Sequence, residues 1–248
     1  MNDRWFGRVA DLVPCAIGLF FVVAAHPAGQ DLFKITVLDD QTGRGVPLVE
    51  LRTVNNISLW TDSNGIIAFD EPGLMGQEVY FHIKSHGYEY PKDMFDNRGV
   101  KLKPTRAGSA VIKIKRLNIA ERLYRVTGQG IYRDSVLAGQ PVPLKAPVLN
   151  AQVMGQDTVI AAPYNGKIYW FWGDTERVSY PLGNFAASGA TSEVPGRGGL
   201  DPSVGVNLTY FIEENGSSRV FRARKVWFPL TPGTWRSLMT RNKSSNPR

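Results

Sequence analysis

From Phe33 onward the chain alternates apolar and polar side chains, and turn residues interrupt the alternation every few positions. Phe33, Ile35 and Val37 share one face while Lys34, Thr36 and Leu38 share the other, which is the period of a strand. Turn residues follow from Asp39 to Gly43, and Val49, Leu51 and Thr53 form the next alternating face. Asn55 and Asn56 precede a strand over 57–61. Asp62-Ser63-Asn64-Gly65 then leads into a strand over 66–69, with an Asn-Gly pair that tolerates left-handed backbone. Strands over 78–83 and 111–116 complete the series. Six or seven short strands with no helix between them predict a small β-sandwich. At 43% hydrophobic, the sequence has ample material for its core. Its one cysteine, Cys15, excludes a disulfide scaffold or a cysteine-rich metal site.

Several of these residues fall at the positions of a known module. Ile35-Thr36-Val37-Leu38-Asp39, Thr42-Gly43, Val46-Pro47, Thr61 to Gly65, Phe69 and Gly87-Tyr88-Glu89 together resemble the carboxypeptidase regulatory-like, or transthyretin-like, domain family over residues 32–116. The resemblance implies an accessory domain without an active site of its own. His82 lies on a strand and His86 precedes Gly87, so helical metal-ligand spacing does not apply; no metal or other cofactor is expected.

The start of the chain has a different grammar. Arg4 and Arg8 precede an uncharged apolar run over 12–25, with small residues at Ala24, Ala25, Ala28 and Gly29. That run is shorter than the ~20 residues a membrane-crossing helix needs. Residues 1–28 therefore read as an apolar helix serving as a secretory signal peptide, or as an uncleaved signal anchor. Either reading places the mature protein outside the cell or in a bacterial envelope, with the membrane touched only through this segment.

Residues 117–149 read as a linker. A brief helix is expected over 119–124, and an extended stretch where Pro141, Pro143 and Pro147 cluster. A second module follows over 150–221. Residues 157–162 predict a buried strand, Asn165-Gly166 a tight turn, and Ile168 to Trp172 an aromatic strand closed by Gly173-Asp174-Thr175. Asp157 opens one strand and Asp174 closes its antiparallel neighbour, so both carboxylates fall at the same end of the hairpin. Residues 185–199, rich in Gly, Ala and Ser, predict a long loop. Residues 204–212 predict a strand with Val206, Leu208, Tyr210 and Ile212 on one face.

Gln156-Asp157-Thr158-Val159 and the run from Tyr169 to Thr175 resemble the opening blade of the five-bladed β-propeller glycoside hydrolase families. The resemblance implies that Asp157 is a general base; Asp174, as a neighbouring carboxylate, is expected to bind substrate hydroxyls or to tune the acidity of Asp157 by like-charge repulsion. The expected fold class is thus all-β: a small sandwich, then an incomplete propeller-like region, preceded by the apolar helix. Glycosidic cleavage generally needs two carboxyl groups. Glu176, Glu193, Glu213 and Glu214 are the only later glutamates, and none matches the families' acid. A blade takes ~40 to 45 residues, so the chain from Gly130 onward holds two blades and part of a third. Read without the resemblance, Asp157 and Asp174 are edge and turn residues.

Charge narrows the partners. The net charge is +7, but from Arg219 onward there are eight basic residues and no acidic one; the rest balances at 21 basic against 22 acidic. No nucleic-acid partner is expected from so neutral a body. The tail over 222–248 also loses strand periodicity, as a truncated or frame-shifted frame would, or a deliberate short tail. Three functions remain. One is an exported accessory part of a carbohydrate-processing protein, inactive alone. Another is a non-enzymatic glycan binder that uses Tyr169, Trp170 and Trp172 as a stacking platform for an oligo- or polysaccharide. The third is an active hydrolase built on Asp157.

Overall fold

The computed structural model describes residues 31–179 and 187–219. The expected signal segment over 1–28 and the basic tail over 222–248 lie outside them. Among the described residues no helix is long and apolar enough to cross a membrane.

The first half carries eight strands. They are β1 (Phe33–Asp39), β2 (Glu50–Thr53), β3 (Ser58–Trp60), β4 (Ile66–Phe69), β5 (Val79–Lys84), β6 (Tyr88–Glu89), β7 (Gly99–Leu102) and β8 (Ser109–Arg116). They form two four-stranded sheets, ordered β4-β1-β8-β6 and β3-β2-β5-β7. All pairs are antiparallel except β1 with β8, which run parallel from Lys34 opposite Ser109 to Asp39 opposite Ile114. The inward side chains of both sheets, Ile35, Val37, Ile67, Ile112 and Ile114 from one and Leu51, Phe81 and Ile83 from the other, meet in one buried cluster. Gly45 permits a close crossing here: a Cβ on it would lie 1.8 Å from the Asn64 carbonyl oxygen.

The second half has a helix, α1 (Arg133–Leu137), and six strands: β9 (Val153–Gln156), β10 (Val159–Tyr164), β11 (Lys167–Trp172), β12 (Thr175–Arg177), β13 (Ser188–Glu193) and β14 (Thr209–Tyr210). They make one sheet ordered β10-β11-β13-β14 and a ribbon of β12 with β9. The expected all-β class, sandwich plus partial propeller, is therefore incorrect. The chain is mixed, with a helix between its two sets of strands, and no closed ring of blades exists among the described residues.

The helix went unforeseen because its N-terminal donors are not capped locally. Tyr132, at the N-cap position, makes no side-chain cap bond. Instead the Ser135 N–H donates to Asp62 Oδ2 at 2.6 Å, from a turn of the first half. The helix expected over 119–124 is absent, and Ile119 is fully exposed. Arg122 explains why. Its guanidinium donates to the carbonyls of Pro47 and His86, both at 2.6 Å, and its Cζ sits 5.8 Å from the Tyr88 ring centroid, which holds the segment flat against the first half.

Candidate functional site

Residues 117–149 are not a free linker, because the turn from Asp62 to Gly65 grips them. Asp62 Oδ1 accepts the N–H groups of Asn64 and Ile66 at 3.0 and 3.1 Å, closing its own turn, while Oδ2 takes the Ser135 N–H. The Ser63 N–H donates to the Ile131 carbonyl at 2.8 Å, and Ser63 Oγ accepts the Arg125 N–H at 3.1 Å. Asn64 Nδ2 reaches Ser135 Oγ and the Pro141 carbonyl. In return, Asp134 Oδ1 accepts the Ala68 N–H of edge strand β4 at 3.0 Å. Asp62 and Asp134 are 2% and 3% exposed, and burial raises the Asp62 carboxyl above the usual carboxylate range.

This grip shapes a cavity of about 770 Å³. Its floor is one face of the β10-β11-β13-β14 sheet, where Ile168, Trp170, Ser192 and Tyr210 point inward. One wall is the gripped segment from Tyr124 to Ile131, and the other is the chain from Leu144 to Val153 with the loop from Pro195 to Thr209. Tyr124 ties two of these pieces together by donating to the Pro202 carbonyl at 2.7 Å. Tyr132, behind the wall, is almost fully buried, which pushes its phenol up to about 12.

The aromatic strand divides its side chains between two faces. Trp170 and Trp172 share the cavity side and stack nearly parallel, 6.2 Å apart at 10°. Trp172 is only 5% exposed and packs on Tyr210, so it is core. Trp170 is half-buried, lines the cavity, and is fixed in orientation by donating from Nε1 to Ser192 Oγ at 2.9 Å. Tyr169 points the other way and packs against Tyr164 and Phe211. The three-residue platform expected from sequence thus splits, leaving Trp170 alone at the cavity. Tyr210 donates to Gln156 Oε1 at 2.8 Å, and burial raises its phenol strongly.

Asp157 and Asp174 do come together. The Asp157 N–H donates to the Asp174 carbonyl at 3.1 Å, and the Asp174 N–H donates to Asp157 Oδ1 at 2.9 Å. Neither lines the cavity. Gly173 makes room for the pairing, since a Cβ there would lie 2.6 Å from Asp157 Oδ1. Thr158 follows with φ +41°, so β10 starts at Val159, and the strand is exposed along its whole length rather than buried. The one acid that lines the cavity, Glu193, is half-exposed and pairs with Lys167 at 3.0 Å. Two facing carboxyl groups for glycosidic cleavage are therefore not assembled in the cavity.

Polar groups around Trp170 come from segments with weak sequence signals. Asn150 Nδ2 donates to the Leu208 carbonyl and Asn207 Oδ1 accepts the Lys145 N–H, both at 2.9 Å. These bonds hold residues 205–208 off the sheet, so the strand expected over 204–212 shrinks to Thr209–Tyr210. They leave Asn150 Oδ1 and Asn207 Nδ2 without partners among the described residues. No cluster of three or more His, Cys, Asp or Glu that would hold a metal exists among the described residues.

No protein-family model matches the chain. A search of curated proteins likewise finds no significant match.

Proposed function

We propose that this chain is a non-catalytic carbohydrate-binding protein and that its ligand, a neutral oligosaccharide, occupies the cavity beside Trp170. The observation that carries this reading is a half-buried indole, locked by Ser192, in the floor of a cavity of about 770 Å³. That volume suits a small-molecule site, which combines apolar lining with a few placed polar groups. A sugar offers apolar C–H faces for the indole and hydroxyls for Asn150 and Asn207. Asp157 and Asp174, bound to each other's backbone outside the cavity, serve as a hairpin clamp in this reading.

The test is titration of the full chain with a panel of soluble neutral oligosaccharides, read by tryptophan fluorescence and calorimetry. At least one should bind. Trp170→Ala should weaken it by about 1–3 kcal/mol, the loss of a buried aromatic contact. Asp157→Asn should leave binding unchanged. Binding that survives Trp170→Ala, hydrolysis that disappears in Asp157→Asn, or no binding across the panel overturns the proposal.

A further inference from the structure

Strand β10 closes one side of its sheet, where nothing pairs with it among the described residues. Its six residues, Val-Ile-Ala-Ala-Pro-Tyr, are all exposed, with Val159, Ile160 and Tyr164 at 57%, 42% and 51%. From Thr158 to Gly166 there is no charge. Edge strands are usually protected by charges, bulges or a covering segment. Here only Pro163 stands in the way.

The register fixes which backbone groups face outward. Tyr164 and Lys167 flank the two-residue turn as the closing pair, with Asn165 at φ +47° and Gly166 at φ +76°. Beside such a turn the closing pair is hydrogen-bonded, and the bonded pairs then recur at every second residue. Thr158, Ile160, Ala162 and Tyr164 therefore bond towards β11, in agreement with the Gly173 N–H donating to the Thr158 carbonyl at 3.1 Å. Val159, Ala161 and Pro163 present their groups outward: two N–H donors and three carbonyls. Pro163, which has no donor, occupies a position where the ladder does not need one.

We infer that β10 pairs antiparallel with β10 of a second copy of this chain, about a two-fold axis at Ala161. On that axis the two Ala161 residues exchange both backbone bonds. Each Val159 N–H meets the carbonyl of Pro163 of the second copy, which makes four bonds in all. The missing Pro163 donors fall opposite the Val159 carbonyls at the two ends of the pairing, where water reaches them. The smallest side chain of the outward set, Ala161, sits at the crossing. A two-fold pairing sets residue 161 directly opposite itself, so a charge there would repel, and the strand carries none. The two four-stranded sheets become one continuous sheet. This does not depend on carbohydrate binding.

Sedimentation of the full chain across a dilution series tests it. The wild type should reach twice its 27.5 kDa mass. Ala161→Lys and Ala161→Glu each set like charges face to face, and each should weaken self-association at least about tenfold. An equimolar mixture of the two should recover the dimer, because opposite charges then meet on the axis. Ala161→Pro, which removes one outward donor per chain without touching the β11 ladder, should also give single chains, with the unfolding midpoint of the wild type diluted below its dissociation constant. A wild type that stays single at every concentration overturns the inference. So do variants that remain dimeric, a mixture that stays single, or a mass that grows without limit as in head-to-tail pairing.

Discussion

Replacing Asp62 with alanine removes the acceptor for three backbone N–H groups at once: Asn64 and Ile66 in its own turn, and Ser135 across the junction. The Asn64 donor is half-exposed and finds water. Ile66 and Ser135 are 6% and 0% exposed, so their donors have no replacement. A buried donor left unsatisfied costs about 1–3 kcal/mol. Two of them set the expected loss at about 2–6 kcal/mol, with about 4 as the central figure. Part of the gross gain is already offset in the wild type by the desolvation that raises this carboxyl. For a chain of this size, 1 kcal/mol moves the midpoint by about 2–4 °C, so the melting temperature should fall by about 8–16 °C. The pattern of loosening is more specific than the midpoint. Hydrogen exchange should lose protection at Arg125 and Ser135 as well as at Ile66, because the same turn holds both halves. A loss below about 1 kcal/mol, or exchange that speeds up only within residues 62–66, would refute the idea that this turn clasps the two halves together.

Two further outcomes follow from the same geometry. Burial raises the Asp62 carboxyl, so the folded chain holds that proton more tightly than the unfolded chain does. The stability this group contributes is therefore greatest below the ordinary carboxylate range and is lost as pH climbs from there through the elevated folded value; the midpoint of wild type minus Asp62→Asn should slope downward over that window, and a flat or rising difference contradicts the assignment. Gly173→Ala would drive a Cβ into Asp157 Oδ1, and Asp157→Ala removes the same carboxylate. Each should cost about 1 kcal/mol in urea unfolding, and the double variant should cost about the same as either one; simple additivity would show that Gly173 and Asp157 are not parts of one contact.

Six of the eight strands of the first half were legible, most plainly β1, where burial of one face imposes the alternation of Phe33, Ile35 and Val37; the short β6 and the little-buried β7 carry no such pattern and were not. The hairpin around Asn165-Gly166 was legible because both residues need left-handed backbone. Strand β13 was hidden for a different reason. Its Ser, Gly and Ala residues look like loop chemistry, yet they are small because the aromatic strand beside them is large. Gly189 lies opposite Phe171, and a Cβ on it would come within 3.0 to 3.2 Å of the Phe211 and Phe171 rings. A residue chosen for its neighbour's bulk carries no period of its own. The cavity was hidden for a related reason, since its wall over 124–131 has weak local preference and is held by Ser63 from far along the chain, while Asp62 and Asn64 hold the segment that follows it. The turn itself was visible in the sequence, but its second use as a handle was not.

The parallel register of β1 with β8 has a consequence for how the chain is made. β1 sits between β4 and β8, so the strand that leads the first half has to wait for the one that ends it. At about 5–20 residues per second on the ribosome, residues 33–39 emerge several seconds ahead of their partner at 109–116. During that interval Ile35 and Val37 have no complete core to enter. A nascent chain halted before Ser109 should therefore depend on chaperones, and one halted well past Arg116 should not.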